Sequence, residues 1–354
     1  MTSKSRVMTA INHKEPDRIP CTFKGTPEVE NQLVKYFGLK DTEGLKHILY
    51  VDNFHWPWRT ISPRNHNKMQ KLSDEQTKDM WGVVRKKMDY GLGIYEEVVY
   101  SPLAFATSVE EIENYTWPRV EELDFSNIYQ DSLANKDYAL AGGNWNIFEP
   151  ANAIRGFQKF LLDLALNEDI AFAIIHKIEE FWWHYNERMM QEIKGLLDIF
   201  PTGDDFGSQT GLLMSLEMWK KYFVPGMKRA YAFAHQHGLK VVMHCDGAIK
   251  QLLPELIDMG LDLIDPLQPK AKDMNPYHIH KEFGQQLCFH GTIDVQELLP
   301  FGNPQEIRDE VKRQIDSLAP GGGFFLAPSH CIQPGVPIEN IITMYETAKK
   351  YGRY

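Results

Sequence analysis

Short apolar runs that end in polar residues alternate with helix-length segments through the second half of the sequence. The apolar runs end in Gly, Pro, Asp or His and lie at 196–205, 239–247, 261–269, 286–294 and 322–330. Charged segments of helical length lie between and after them, at 215–237, 248–259, 274–284, 303–318 and 337–351. Because strand-length runs joined by helical segments are typical of βαβ units, the pattern predicts a parallel sheet.

Three further strand candidates precede this region, at 18–23, 49–56 and 138–150, and a long helical stretch follows at 154–195. Eight strands with helices between most of them predict an α/β fold, a (β/α)8 TIM barrel, as one domain over residues 1–354. Residues 60–135 do not follow the pattern. There, "KKMDYGLGIYEEVVYSP" (86–102) predicts an antiparallel hairpin inserted in the N-terminal half.

The charge and cysteine content exclude several classes of protein. The formal net charge is −10 and no cluster of five Lys or Arg residues occurs, which argues against binding to nucleic acid. The first 18 residues contain no apolar signal segment, and the longest uncharged stretch, 317–338, carries four prolines, unlike a membrane helix. The four cysteines form no CxxC pair, so we expect reduced thiols and a cytoplasmic protein.

Ionisable and polar side chains follow the predicted strands at their carboxyl ends. In a barrel these ends form one face, where the functional loops lie. The residues at the strand ends are Asp204, Asp205, His244, Cys245, Asp246, Asp265, Gln268, His290, Asp294, His330 and Cys331.

The segment "VVMHCDG" (241–247) places His244 and Asp246 two residues apart at a strand end, so that both point to one side. Such a pair binds a divalent metal or acts as a base with an orienting carboxylate. The alternative is structural: a histidine bonded to local backbone and an aspartate that caps the following helix.

His330 and Cys331 come after the last strand and before the proline-bounded loop "IQPGVP". Taken with His244, a His/Asp/His set or a His/Cys set drawn from these residues and Asp246 could supply the three protein ligands of a catalytic zinc site with one open position. The alternative for Cys331 is a small buried apolar residue.

The loop "GDDFGSQTG" (203–211) brings Asp204, Asp205 and Gln209 to the same face. Adjacent carboxylates can position a substrate or share a proton, although Asp, Gly and Ser are also the ordinary residues of turns. We therefore predict catalytic roles for Asp204 and Asp205, and also for His290 and Asp294 at the neighbouring strand end.

Several segments resemble the uroporphyrinogen decarboxylase superfamily over nearly the whole chain. They are "INHKEPDRIP" (11–20), "FEPANAIRGFQKFLLDLA" (148–165), "GDDFGSQTG", "HCDG", "IDPLQP", "HGTIDVQELLP" (290–300) and "GGGFFLAPSHCIQPGVPIENI" (321–341). The resemblance implies a (β/α)8 barrel and a homodimer. The decarboxylase's arginine-containing "MRQAGR" stretch is replaced here by "TFKGTPEVE" (22–30), which argues against uroporphyrinogen as the substrate.

The superfamily also contains zinc-dependent methyltransferases that work with corrinoid proteins, and the sequence resembles these at their two zinc-binding segments. His244 matches the histidine of their H-x-C-G motif, and Asp246 stands where the first cysteine would be. Counted back from Pro334 and Pro337, His330 stands at the second cysteine, with Cys245 and Cys331 one residue out of register.

Given this resemblance and the oxygen ligand that Asp246 would supply, our hypothesis is methyl transfer between a small O-methylated substrate and a corrinoid protein, assisted by zinc. The predicted metal ligands are His244, Asp246, His330 and Cys331, and the predicted substrate-binding residues are Lys24, Glu149 and Gln209. The alternative is a metal-free decarboxylase or lyase acting on a small carboxylated substrate, for which Lys24, Arg59 and Arg155 would be the cationic groups.

Overall fold

Short helices and a small antiparallel sheet make up the N-terminal part of the chain. The computed structural model describes residues 1–63 and 70–354, so residues 64–69 of the predicted insertion region 60–135 lie outside the described part. The helices are α1 (Ser3–Ile11), α2 (Pro27–Phe37), α3 (Glu43–Ile48), α4 (Val109–Glu113) and α5 (Ile128–Ala134). The strands are β1 (Ser62–Pro63), β2 (Gln70–Lys71), β3 (Gln76–Lys78), β4 (Val84–Asp89), β5 (Ile94–Tyr100) and β6 (Leu123–Asp124).

The predicted hairpin insertion is confirmed. Strands β2 to β5 form a four-stranded antiparallel sheet in sequence order, with β4 and β5 paired along their length. Gly91 lies in the connecting loop with a φ of 89°, and its N–H donates to Oδ1 of Asp89 at 2.7 Å. A glycine takes this left-handed conformation without the cost that a side chain would impose.

Helices and parallel strands alternate in the second half. The helices are α6 (Phe148–Arg155), α7 (Phe157–Leu166), α8 (Glu168–Ile193), α9 (Leu216–Tyr222), α10 (Val224–Gln236), α11 (Leu253–Met259), α12 (Pro276–Phe283), α13 (Leu298–Phe301), α14 (Pro304–Leu318) and α15 (Ile338–Tyr351). The strands are β7 (Ile199–Gly203), β8 (Lys240–His244), β9 (Leu263–Asp265), β10 (Cys288–His290) and β11 (Phe324–Phe325).

Two predicted helices are interrupted. The region 154–195 is divided among α6, α7 and α8, because Gly156 has a φ of 89° and ends α6. The predicted helix 215–237 is divided into α9 and α10 because Pro225, in the first turn of α10, has no N–H to continue the helix from α9. Among the described helices, none has the length and apolar character needed to cross a bilayer.

The five strands β7 to β11 form one parallel sheet in the order β11-β10-β9-β8-β7. The register places the last residues of neighbouring strands side by side: Gly203 is paired with His244, and His244 with Asp265. The carboxyl ends of the strands therefore meet at one edge, as the sequence predicts.

The three earlier predicted strands contribute isolated parallel bridges rather than regular strands in the described residues. Cys21 bridges to Leu326, His55 to Leu140, and Ala141 to Ile199. These bridges attach the predicted strands 18–23 and 138–150 to the two edges of the sheet.

Helix α1 packs against one group of strand residues. Val7, Ala10 and Ile11 are buried with side chains that come from successive strands: Ala141, Ile199, Val242, Leu263, Cys288 and Phe325. Cys288 begins β10, and its Sγ contacts the backbone oxygen of Ile11 at 3.4 Å. Helix α1 thus lies at the amino ends of the strands. The polar side chains lie at the opposite edge of the sheet, where the carboxyl ends of the strands meet.

Candidate active site

His244 and Asp265 lie next to each other because they are the last residues of the adjacent strands β8 and β9. Nδ1 of His244 lies 3.4 Å from Oδ2 of Asp265. Asp246, two residues further on, is on the other side of the imidazole ring, with its Oδ2 3.6 Å from Nε2 of His244. The imidazole therefore lies between two carboxylates, one at each ring nitrogen.

Asp205 completes a compact group of metal-ligating atoms with His244 and Asp246. One ligand atom from each residue lies within 4.8 Å of the others, and this is the one such group in residues 1–63 and 70–354. Oδ1 of Asp205 lies 4.0 Å from Nε2 of His244 and accepts the backbone N–H of Asp246 at 2.8 Å. Asp205 thus lies where it could bind a metal ion together with His244 and Asp246, and its catalytic role stays a prediction.

These residues fit a divalent metal ion. Oδ1 of Asp246 is buried and accepts no hydrogen bond from any residue in the described part of the chain, which is costly for a carboxylate oxygen unless something binds there. Ligands at zinc–nitrogen and zinc–oxygen distances of about 2.0–2.2 Å in tetrahedral geometry are roughly 3.3–3.5 Å apart. The observed separations are slightly wider: Nε2 of His244 lies 3.6 Å from Oδ2 of Asp246 and 4.0 Å from Oδ1 of Asp205.

Of the other predicted ligands, His330 lies at the edge of the group and the cysteines lie outside it. Nε2 of His330 is 3.5 Å from Oδ2 of Asp246, and its side chain is 46% exposed. Cys331 does not join the group among the described residues. Cys245 is fully buried, and its Sγ accepts the N–H of Phe206 at 3.4 Å, so it is a core residue.

Two predicted catalytic aspartates have structural contacts instead. The Asp204 carboxylate is buried and accepts the backbone N–H groups of Ile147 and Glu149, at 2.8 and 2.9 Å, where α6 begins. The Asp294 carboxylate accepts the N–H groups of the following turn, which belong to Gln296, Glu297 and Leu298. The oxygens of both aspartates therefore accept backbone donors, and the catalytic roles of Asp204 and Asp294 stay predictions.

His290 lies behind the metal-ligating group. Its Nδ1–H donates to Oδ1 of Asp265 at 2.6 Å, and its Nε2 is hydrogen-bonded to the hydroxyl of Thr22 at 2.6 Å. Thr22, His290, Asp265 and His244 therefore form a continuous chain of polar contacts. Among the described residues, His290 contacts Asp265 and does not join the group of ligand atoms, and its catalytic role stays a prediction.

Neighbouring charges change the pKa values of these groups. Burial alone would lower the pKa of His244, but Asp246 and Asp265 outweigh it and raise the pKa to about 10. Burial opposes ionisation of Asp265, yet His290 and His244 hold its pKa well below the ordinary range. A metal ion would therefore have to displace a proton from His244.

A large cavity of about 1280 Å³ opens beside Asp205 and Glu149. Its walls carry a large aromatic surface that includes Trp56, Trp58, Trp81, Phe148, Phe181, Trp182 and Tyr185. Burial and the negative charge of Asp205 raise the pKa of Glu149, which accepts a hydrogen bond from the side-chain amide of Asn146 at 2.7 Å. Glu149 thus lines the cavity, and its contact with substrate stays a prediction.

The other predicted substrate-binding and cationic residues are placed elsewhere. Lys24 and Gln209 are exposed, and with Arg59 they lie outside the lining of this cavity as far as the described residues show. Arg155 is buried in an ion pair with Asp163 at 2.6 Å and donates to two backbone oxygens. Arg155 is thus a structural residue, contrary to its predicted place on the rim.

The sequence missed two contributions to this region. Asp265 was recognised at a strand end but given no role, because its position between two histidines depends on the strand register. The aromatic wall was missed because its residues come from four separate segments, and no local spacing connects Trp81 with Trp182.

Comparisons with known proteins agree with this fold. The chain is similar over 99% of its length to a solved structure, a methyltransferase from Methanosarcina mazei, with a TM-score of 0.67, 16% sequence identity and 99% of that chain covered. No curated protein matches the sequence. The family model for uroporphyrinogen decarboxylase (URO-D) matches residues 134–351, which is more than half of the chain. The chain therefore belongs to the uroporphyrinogen decarboxylase family.

Proposed function

We propose that this protein is a metal-dependent methyltransferase that removes the methyl group of a small O-methylated substrate and passes it to a corrinoid carried by a partner protein. The observation that carries the proposal is the group formed by Asp205, His244 and Asp246 at the edge of a large aromatic cavity. The structural likeness to a methyltransferase supports it.

Asp205, His244 and Asp246 would hold the metal, with zinc as the preferred ion and His330 within reach as a further ligand. When bound, the metal would supply Lewis acidity towards the ether oxygen of the substrate. Asp265 holds Nδ1 of His244, which leaves Nε2 directed towards Asp205 and Asp246. Such support from outside the ligands fixes the orientation of a metal-binding imidazole.

Glu149 would act as the proton donor. When the methyl–oxygen bond breaks, the oxygen keeps the electron pair and needs a proton, and the methyl group leaves to the acceptor as an electron-deficient carbon. Glu149 lines the cavity beside Asp205, and burial and the charge of Asp205 raise its pKa, which favours the protonated form that this role needs. This assignment replaces the predicted role of Asp204, whose oxygens are occupied by backbone donors.

Two measurements test the proposal. Metal content by plasma mass spectrometry is expected to give about one zinc per chain in the wild type and in Cys331→Ala, and none in His244→Ala or Asp246→Asn. The second measurement is the methylation of free cob(I)alamin by methoxylated aryl compounds, monitored by the absorbance of the cobalamin. We expect this activity to be lost in the same two variants. A wild-type protein that is fully active without metal, or that transfers no methyl group when loaded with zinc, would contradict the proposal.

The alternative, a decarboxylase or lyase, would require a cation in the cavity. Arg155 does not supply one, but Arg85 lines the cavity wall. Release of carbon dioxide from a carboxylated donor, without methylation of cob(I)alamin, would favour this alternative.

We further infer that the sheet β7 to β11 and the three bridged segments close into a (β/α)8 barrel, in a single domain over residues 1–354. The parallel bridges at Cys21, His55, Leu140 and Ala141 support this inference. We also propose that the protein is cytoplasmic and forms a homodimer. Light scattering of the purified protein would test the homodimer.

A further inference from the structure

Arg85 is a partly buried cation whose hydrogen-bonding groups have no partner within the described chain. It lies on β4, its side chain is 33% exposed, and it lines the aromatic cavity together with Val98, its cross-strand neighbour on β5. Its closest charged neighbour is Asp79, with Nε of Arg85 and Oδ2 of Asp79 3.9 Å apart. That distance is too long for a hydrogen bond.

Asp79 is occupied by its own loop. Its Oδ1 accepts the backbone N–H groups of Trp81 and Val83, at 2.9 and 3.0 Å, and so fixes the turn that leads into β4. Asp79 therefore balances part of the charge of Arg85 but leaves the planar fork of its guanidinium free. A guanidinium presents five N–H donors, and with the side chain 33% exposed these donors are open to a ligand in the cavity.

The remaining charges of the cavity select where an anion could bind. The lining includes the carboxylates of Asp79, Glu149 and Asp205, and Arg85 is the one Lys or Arg among the described lining residues. Among these described lining side chains, the carboxylates would repel an anionic group and Arg85 would attract it. The guanidinium fork matches the two oxygens of a carboxylate.

The neighbourhood of Arg85 also limits the size and shape of the molecule. Arg85 and Asp205 line the same cavity, so a molecule bound at Arg85 shares one space with the ligand group. Trp81, Phe181 and Trp182 line this cavity as ring-to-ring neighbours, with the centroids of Trp81 and Phe181 5.0 Å apart and those of Phe181 and Trp182 5.1 Å apart. Aromatic walls of this kind favour a flat, apolar body.

We infer that Arg85 is a specificity-determining residue that binds the carboxylate of the substrate, and that the substrate is a carboxylated methyl ether with a flat, apolar body. The methyl ether in this statement rests on the proposed function, whereas the carboxylate rests on Arg85 and the cavity alone. The antiparallel sheet β2 to β5 would thus contribute a substrate-binding residue, Arg85, to the wall of the cavity.

The test compares the binding of 4-methoxybenzoate with that of its neutral analogue 4-methoxybenzamide, by titration calorimetry on the full-length protein. We expect the wild type to bind the benzoate about 10–100-fold more tightly, in keeping with charge-assisted hydrogen bonds. Arg85→Met should bind the two compounds equally, and Arg85→Lys should recover part of the preference. Lys86→Met, on the same strand but outside the lining, should behave like the wild type.

Equal binding of both compounds by the wild type would overturn the inference, as would a full preference for the benzoate in Arg85→Met. Far-ultraviolet circular dichroism of each variant shows whether it is still folded. If Arg85→Met does not fold, Arg85→Lys is compared with the wild type instead. Binding is measured without a methyl acceptor, so it is independent of methyl transfer. A benzoate preference lost in Arg85→Met, in a protein that holds no zinc and transfers no methyl group, would uphold this inference while contradicting the proposed function.

Discussion

Asp265 accepts a hydrogen bond from Nδ1 of His290 at 2.6 Å, and its second oxygen faces Nδ1 of His244 at 3.4 Å. The carboxylate is therefore held on one side so that it can orient an imidazole on the other. Since His244 is one of the three proposed metal ligands, Asp265 would influence metal binding without being a ligand.

Replacement of Asp265 by Asn should weaken zinc binding by about 10–100-fold, because the amide neither fixes the tautomer of His244 nor balances its charge as well. Competition with a zinc-binding dye would measure this change. Asp258→Asn, an exposed position on α11, is the control and should bind zinc like the wild type. Unchanged affinity in Asp265→Asn would show that His244 is oriented by other contacts.

The loop after β8 requires glycine at position 247. Gly247 has a φ of 91°, and an added Cβ would lie 2.6 Å from the carbonyl carbon of Gly207 and 2.7 Å from the backbone oxygen of Ser208. Gly247→Ala should therefore destabilise the protein by at least about 3 kcal/mol and reduce metal binding, since backbone cannot move aside as a side chain could.

Gly38→Ala is the matched control for that substitution. Gly38 also has a positive φ, 64°, but an added Cβ there would meet nothing within 4 Å. It should cost only about 1–2 kcal/mol. Equal losses in thermal midpoint for the two variants would mean that conformational strain, and not close packing of the two loops, explains the requirement at Gly247.

The sequence predicted the parts of the fold that local patterns determine. The strands ending at His244 and His290 and the helices α14 and α15 were expected within a few residues of their observed bounds. The sequence did not predict the helix interruptions at Gly156 and Pro225. The apolar periodicity continues across both positions, whereas the helical conformation of the backbone does not.

Roles at the candidate site were harder to predict than positions. The sequence placed Asp204 and Asp205 together but could not tell them apart. Only the fold shows that the Asp204 carboxylate faces the backbone of α6 while Asp205 faces His244. Likewise, Arg155 is indistinguishable in sequence from a substrate-binding arginine, and its partner Asp163 is one helix further along the chain.

The ion pair between Arg155 and Asp163 should be important for stability. Both side chains are 1% exposed, and Asn167 also donates to Asp163 at 2.9 Å. Arg155→Met would leave a buried carboxylate without its counter-charge, at a cost of about 3–5 kcal/mol in the free energy of unfolding. Denaturation in urea would measure this cost.

An exposed arginine provides the comparison for Arg155. Arg119, which is 72% exposed and paired with Glu122, should lose less than about 1 kcal/mol when it is changed to Met. The double variant Arg155→Met with Asp163→Leu should lose less free energy of unfolding than the sum of the losses in the two single variants. If Arg155→Met cost no more than Arg119→Met, the buried pair would not stabilise the fold.

Glu179 should make stability depend on pH. Burial raises its pKa from 4.5 to about 7, although Arg229, 3.6 Å away, partly offsets this effect. The folded state therefore binds a proton more tightly than the unfolded state does. The stability gained from this proton is fully present below about pH 4.5 and is lost as the pH rises through 7.

Glu179→Gln removes this titration but keeps the shape of the side chain. Relative to the variant, the wild type should lose stability on the order of 2 kcal/mol between about pH 5.5 and pH 8.5, which corresponds to a few degrees in thermal midpoint. Glu180→Gln is the control, because Glu180 is 61% exposed on the same helix and should show the wild-type dependence. If the midpoints of the wild type and Glu179→Gln changed in parallel with pH, Glu179 would have to be ionised in the folded protein. Its pairing with Arg229 would then outweigh its burial.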